Sequence, residues 1–191
     1  MGSRLTRYNV KIPSDTMVVY CKNKRLLTLI KKGNRKSIRV FLQLNVNKFK
    51  KIITVSSSPF SGISNKEKKK LKAMQGTMAA LLKQLITEVS TSVSQKLIFI
   101  GMGYRINNID TFNNDVIIFK LGYSHLFYFK VPTNLIVACL KKTKLGIFGY
   151  SCKSVFQTAA LIRSCRAPEF YKGKGILYDN ETVIIRERKK I

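Results

Sequence analysis

Between Leu71 and Val93 the chain reads LKAMQGTMAALLKQLITEVSTSV. Its apolar residues Leu71, Met74, Met78, Leu81, Leu82, Leu85, Val89 and Val93 recur at steps of three and four. That recurrence puts them on one face of an α-helix, so the spacing predicts an amphipathic helix of about 25 residues over roughly 66–93, its Met and Leu stripe laid on a core. Leu81 and Leu85 are expected inside that core. Asn65 stands where an N-cap belongs. The lysines just inside the helix, Lys66, Lys68, Lys69 and Lys70, read either as a solvated face or as a surface near RNA.

On both sides of this helix the period changes. Ahead of it, Asn9–Pro13, Met17–Cys21, Leu26–Ile30, Ile38–Val46 and Ile52–Ser56 are short apolar or alternating runs, cut by Pro13-Ser14-Asp15, Lys22-Asn23-Lys24 and the cluster Lys31 to Lys36. Ser56 to Ser64 reads as a loop. Behind it come Lys96–Arg105, Val116–Leu121, Leu126–Val131, Leu135–Leu140 and Lys144–Phe148, with polar turns at Asn107–Asn114 and Gly122–His125. These are strands by alternation and composition. A shorter helix then spans about Cys152 to Arg163, with Val155, Phe156, Ala159, Ala160 and Ile162 as its apolar face, and Pro168 prevents its continuation. Strands then a helix, twice over, predict an α+β fold of two similar small domains, each a β-sheet with one packed helix, plus a basic C-terminal tail. The expected domains are 1–93 and 94–191. The order of elements repeats; the residues themselves do not.

Charge narrows the partners. The chain of 191 residues carries 36 Lys and Arg against 9 Asp and Glu, a formal net charge of +27. A folded protein of that charge repels itself until a polyanion neutralises it. Because the basic residues run the whole length rather than gathering on one terminal helix, nucleic acid is favoured over a membrane surface. No apolar run is long enough to span a bilayer, and no membrane partner is expected.

Catalytic chemistry finds no footing. His125 is the sole histidine, and it follows a Gly-Tyr-Ser turn. With Ser124 beside it, it reads as a turn residue or an RNA contact rather than a general base. Cys21, Cys139, Cys152 and Cys165 form no C-x-x-C pair, so no zinc set assembles; they read as small buried residues in a reducing compartment. Gly101-Met102-Gly103 begins like a dinucleotide loop but lacks the third glycine and the following helix. Four of the nine acids, Glu169, Asp179, Glu181 and Glu187, lie in the basic C-terminal region, where ion pairing is the simpler role. No enzyme activity, metal or cofactor is expected.

The stretch Arg166 to Tyr178, RAPEFYKGKGILY, can be neither a helix interior nor a central strand. Gly173 and Gly175 would let the backbone approach a phosphate, Lys172 and Lys174 would supply charge, and Tyr171 and Tyr178 would stack on a base or ribose. Arg163 and Arg166 lie at the end of the second helix, and Arg186, Arg188, Lys189 and Lys190 extend the positive surface. From composition alone the same stretch also reads as a flexible basic tail.

Specific motifs join these pieces. RSCRAPEFYKGKGILY, KLIFIGMGYR (Lys96–Arg105), LGYSH (Leu121–His125), QGTMAALLKQLITEVS (Gln75–Ser90) and VKIPSDTMV (Val10–Val18) resemble, in order, signatures of ribosomal protein six of the large subunit in its bacterial and organellar form. The resemblance is most specific from Lys96 onward. Gln75 stands where that family usually has His, Lys32-Gly33-Asn34-Arg35-Lys36 replaces its K-G-P-K-G, and Ser151-Cys152-Lys153 replaces Asp-Lys-Gln before the second helix, leaving Ser151 as the expected cap.

The resemblance implies two α+β domains and no catalysis. It implies a place in the large subunit among neighbouring ribosomal proteins, and a C-terminal domain on rRNA near the sarcin–ricin loop, close to where translation factors dock. It does not imply a homo-oligomer. A non-ribosomal RNA-binding protein, or an RNA-modifying enzyme using the GKG loop, is the competing reading. The Lys-, Ile- and Asn-rich composition without Trp, and a family match beginning within about ten residues of Met1 with no Arg/Ser-rich presequence, favour a mitochondrial ribosome; a bacterial cytoplasm or a plastid is the alternative.

Overall fold

The computed structural model describes residues 8–47, 49–55, 64–108 and 116–186. The chain divides into two compact units, Met1–Thr91 and Ser92–Ile191, each with its own apolar core.

The first unit contains β1 (Asn9–Lys11), β2 (Met17–Cys21), β3 (Leu26–Lys31), β4 (Asn34–Arg39), β5 (Leu44–Asn47), β6 (Ile52–Val55) and α1 (Asn65–Ser90). They form two antiparallel sheets, ordered β1-β6-β5 and β2-β3-β4. The second unit contains β7 (Val93–Ile100), β8 (Arg105–Asn108), β9 (Val116–Lys120), β10 (Phe127–Lys130), β11 (Leu135–Lys141), β12 (Lys144–Gly149), α2 (Cys152–Cys165) and β13 (Gly175–Tyr178). Its sheets run β11-β12-β7-β13 and β10-β9-β8. Taken in chain order, β7-β12-β11 answers to β1-β6-β5, β8-β9-β10 to β2-β3-β4, and α2 to α1. The fold is α+β with a repeated unit; β13, added at the free edge of β7, has no counterpart in the first unit.

Several boundaries differ from the sequence expectation, each for a local reason. The expected strand Ile38–Val46 is two strands in two sheets. The chain leaves β4 at Arg39, buries Val40 and Leu44 in the common core, and enters β5. The turn expected from Lys31 to Lys36 shrinks to Lys32-Gly33, whose φ angles of 41° and 88° match a two-residue hairpin loop between Lys31 and Asn34. The N-cap of α1 is Ser64, not Asn65. Its hydroxyl accepts from the Glu67 N–H at 3.4 Å, while the Glu67 carboxylate accepts from the Ser64 N–H at 3.2 Å. This Ser-x-x-Glu box satisfies two otherwise orphaned donors at once.

The helix also ends earlier than expected, at Ser90, so Val93 belongs to β7. Its core side is Gln75, Met78, Ala79, Leu82, Leu85, Ile86 and Val89; Leu85 is inside as expected, whereas Leu81 is 39% exposed. In α2 the buried residues are Val155, Thr158, Ala159 and Ile162, and the expected core residues Phe156 and Ala160 face solvent. Ser151 is the N-cap residue of α2 but makes no side-chain capping bond. The expected strand Lys96–Arg105 is broken by the Gly101–Gly103 turn into β7 and β8. Of the loops expected at Ser56–Ser64 and Asn107–Asn114, residues 56–63 and 109–114 lie outside the described residues.

Candidate nucleic-acid interface

Two of the quoted motifs meet around one buried ring. Tyr104, from GMGYR, is 6% exposed. A Cβ on Gly101 would lie 2.8 Å from its ring, and one on Gly122, from LGYSH, 3.1 Å away. Both positions are glycine because Tyr104 occupies the space a side chain would need; neither prepares a nucleotide loop. Gly122, with φ of 75°, then turns the chain so that Tyr123, Ser124 and His125 are exposed.

Above that ring lies an exposed stack. The Arg166 guanidinium, at the C-terminus of α2, sits 4.5 Å from the centre of the Tyr123 ring. The Tyr123 ring in turn lies 5.7 Å from His125 and 5.3 Å from Phe127, and the Tyr123 hydroxyl donates to the Cys165 carbonyl at 3.4 Å. Hydrogen bonding with Tyr123, and then the electrostatic influence of Tyr104, raise the Arg166 pKa above its ordinary value. Arg166 is thus a permanent cation held over an aromatic ring, an arrangement suited to phosphate and to unpaired bases. Tyr123 did not figure among the expected contacts, although it lies inside the LGYSH motif that marked Ser124 and His125.

Arg163 is committed elsewhere. Its Nε and Nη2 donate to the two carboxylate oxygens of Glu181 at 3.0 and 2.5 Å, and its guanidinium lies 5.5 Å from the centre of the Tyr178 ring. The Tyr178 N–H donates to the same carboxylate at 3.2 Å, and the Glu181 N–H to the Tyr178 carbonyl at 3.0 Å. The Arg163 bond first, and the Tyr178 N–H as well, lower the Glu181 pKa. Arg163, expected on RNA, is held by Glu181 as a strut between α2 and the end of β13. Tyr178, expected to stack on a base, has one face under that strut.

The GKG loop is a closed structure rather than a loose tail. The Glu169 N–H donates to the Lys174 carbonyl at 2.9 Å, the Gly173 N–H to the Glu169 carbonyl at 3.0 Å, and the Ile176 N–H to the Arg166 carbonyl at 2.9 Å. Gly173 therefore has no N–H to offer a phosphate; its φ of 66° makes the turn. Gly175 is buried, and a Cβ there would lie 2.5 Å from the Pro168 Cα. Its bare backbone accommodates Pro168, which corrects the role of phosphate approach. The loop presents Glu169, Phe170, Tyr171 and Lys172, exposed, and Lys174, half-exposed. Beyond it the Arg186 N–H donates to the Phe170 carbonyl at 2.9 Å and its guanidinium lies 5.9 Å from the Phe170 ring, which folds the segment back on the loop. Arg188, Lys189 and Lys190 lie outside the described residues.

Nothing here resembles a reaction centre. Burial pushes the Cys139 and Cys165 thiols up, away from the nucleophilic thiolate. Among the described residues no group of three His, Cys, Asp or Glu side chains is placed to hold a metal ion, and no helix is long and apolar enough to cross a membrane.

Residues 100–179, which contain this surface except Glu181 and Arg186, match the family model described as ribosomal protein L6. Across 188 residues the chain is 34% identical to the large ribosomal subunit protein uL6 of Dechloromonas aromatica, covering 98% of this chain and 99% of that one. The uL6 of Shewanella baltica is 33% identical over the same shares of each chain. That of Mycoplasma capricolum is 40% identical over 123 residues, 64% of this chain and 66% of its own.

Proposed function

The chain belongs to the ribosomal protein L6 family, and from that membership we propose that its second unit anchors it to large-subunit rRNA through the surface built by Arg166, Tyr123, His125 and the 169–174 loop. As a member of that family it is a structural protein of the large ribosomal subunit and not an enzyme. The observation that carries the RNA assignment is the Arg166–Tyr123 stack standing beside an ordered loop that exposes Tyr171 and Lys172. Arg166, Lys172, Lys174 and Arg186 neutralise phosphates, with Arg188, Lys189 and Lys190 extending the contact. Tyr171, Ser124 and His125 meet ribose or unpaired bases. Arg163, Gly175 and Tyr178 support the surface from behind, and Gly173 shapes its turn.

The RNA is placed near the sarcin–ricin loop, with translation factors and other ribosomal proteins as neighbours. The closed loop supports contact with folded RNA, because an ordered surface reads RNA shape better than a tether does; the sarcin–ricin placement is the one the family resemblance implies. The compartment we assign is the mitochondrial matrix, on the A+T-biased composition and the departures at 32–36 and 151–153; the compared relatives are bacterial, and a bacterial ribosome is the alternative setting.

Sedimentation of a native extract through a sucrose gradient tests the ribosomal assignment: the protein travels with large subunits and leaves them only at high salt. Recovery at the top of the gradient at physiological salt would sink it. Footprinting of the rRNA in those subunits tests the finer placement; protection confined to regions remote from the sarcin–ricin loop overturns it.

A further inference from the structure

The two units are built alike except at one place. In the second, β13 fills the outer edge of β7, pairing antiparallel from Gly175 opposite Ile100 to Tyr178 opposite Leu97, and packs against α2. In the first, β1 is the counterpart of β7. It pairs with β6 on one side, and among the described residues no strand occupies its other side. Beside it lies an open groove of about 320 Å³ lined by Tyr8 and by Gly76, Ala79, Ala80 and Lys83 of α1.

The helices show that this groove is the counterpart of the β13 site, with no strand in it among the described residues. The buried residues Gln75, Met78, Ala79 and Leu82 of α1 and Val155, Thr158, Ala159 and Ile162 of α2 correspond one to one at a constant separation of 80 positions. The same separation sets Ala80 against Ala160 and Lys83 against Arg163. Arg163 is the residue that covers Tyr178 and binds Glu181, the acid three residues beyond β13. Lys83 therefore stands where a cation grips the end of a docked strand, and among the described residues no carboxylate pairs with it. Ala80 and Gly76 leave the space before it open, and a Cβ on Gly76 would meet no other atom within 4 Å.

We infer that this groove receives one extended segment of a partner protein, added as a strand to β1, with apolar residues toward α1 and a carboxylate just beyond them on Lys83. An unpaired strand edge offers a row of backbone donors and acceptors that polypeptide matches and RNA does not. A basic residue at the end of the groove adds selectivity for an acidic flank. The internal precedent supplies the pattern: Gly175-Ile-Leu-Tyr178 followed by Glu181.

The chain provides its own probe. A labelled peptide GILYDNE, the sequence of residues 175–181, is titrated into the full-length protein at physiological salt and followed by anisotropy, with hydrogen exchange to locate it. Saturable binding that protects residues 9–11 and 76–83 is expected. Ala80→Phe, which fills the groove from an exposed position, weakens it at least roughly tenfold, as does Lys83→Glu, and the peptide GILYDNK restores binding to the Lys83→Glu protein. Circular dichroism confirms that both variants fold. The proposal is overturned by no saturable binding, by affinities indifferent to Ala80→Phe, by protection on β7 in place of β1, or by a mixed-sequence RNA oligomer protecting the groove where the peptide does not.

Discussion

Arg163 holds Glu181 with two parallel hydrogen bonds, at 3.0 and 2.5 Å, and thereby ties the last turn of α2 to the residues that follow β13. The side chains are 30% and 26% exposed, so the pair is neither a solvent-screened surface bridge nor a desolvated one. Breaking it should cost about 1–3 kcal/mol, above the usual surface pair and within the range for hydrogen bonds to charged groups.

This bond makes the second unit acid-sensitive in a definite direction. The Glu181 pKa is lowered on folding, so its stabilisation is complete above the ordinary carboxylate range and is lost as pH falls through that range toward the folded value. Arg163 stays charged throughout. Native-state hydrogen exchange at the Leu177 and Tyr178 amides should show protection falling with acid in the wild type. In Glu181→Gln the protection should be lower at neutral pH and lack this part of the pH dependence; a variant that keeps the full acid slope would assign it to another group.

In α1, adjacent leucines should behave oppositely. Leu82 is fully buried and Leu81 is 39% exposed. Leu82→Ala should destabilise the first unit by about 2–5 kcal/mol through lost burial and a cavity. Leu81→Ala should stay within about 0.5 kcal/mol. Urea unfolding of the two variants compares them directly, and a larger loss from Leu81→Ala would mean that the helix is turned the other way.

That pair also shows what a sequence conveys. The period of three and four located the helix, but Leu81 and Leu82 lie about 100° apart on it, and apolarity alone cannot choose between two leucines. The same ambiguity put Phe156 and Ala160 on the wrong face of α2. Fold class was legible because alternation and helical period are local. The assignment of Ile38–Val46 to two sheets was not, since it depends on where Val40 and Leu44 meet residues far along the chain. At Gly173 and Gly175, glycine was read as access for a ligand. At Gly101, Gly122 and Gly175 it is space for Tyr104 and Pro168. Arg163 looked free because its partner Glu181 is 18 residues away.

The two glycines of the GKG loop should accordingly separate. Gly175 has φ of 150° and Pro168 against it, so Gly175→Ala should destabilise the second unit by about 1–3 kcal/mol by displacing backbone. Gly173 has φ of 66° and only the tip of Ile185 within 4 Å, so Gly173→Asn, whose side chain tolerates that conformation, should fold and bind as wild type. Thermal melts and RNA affinity measure both. Weak binding by a fully folded Gly173→Asn protein would return the glycine to direct contact with phosphate.

The lysines and arginines should divide by their salt dependence. Each phosphate neutralised on single-stranded RNA or a duplex releases roughly 0.7–0.9 of a counterion, which sets the slope of log affinity against log salt. Lys172 and Lys174 replaced together by Ala should therefore flatten the slope by about 1.4–1.8, and Arg166→Ala by about 0.7–0.9. Arg166→Ala should lose further affinity at every salt concentration, because the Tyr123 ring loses the guanidinium that orders it at 4.5 Å. Arg163→Ala should differ from all of these: its charge is spent on Glu181, so it weakens binding through stability and leaves the slope nearly unchanged. An rRNA fragment containing the sarcin–ricin region, titrated over a salt series with fold checked by circular dichroism, gives all four slopes. Should Arg163→Ala flatten the slope as much as Arg166→Ala, the Glu181 bond must open on RNA and Arg163 must count among the contacts. Should the lysine pair leave the slope untouched, the loop does not lie on phosphate.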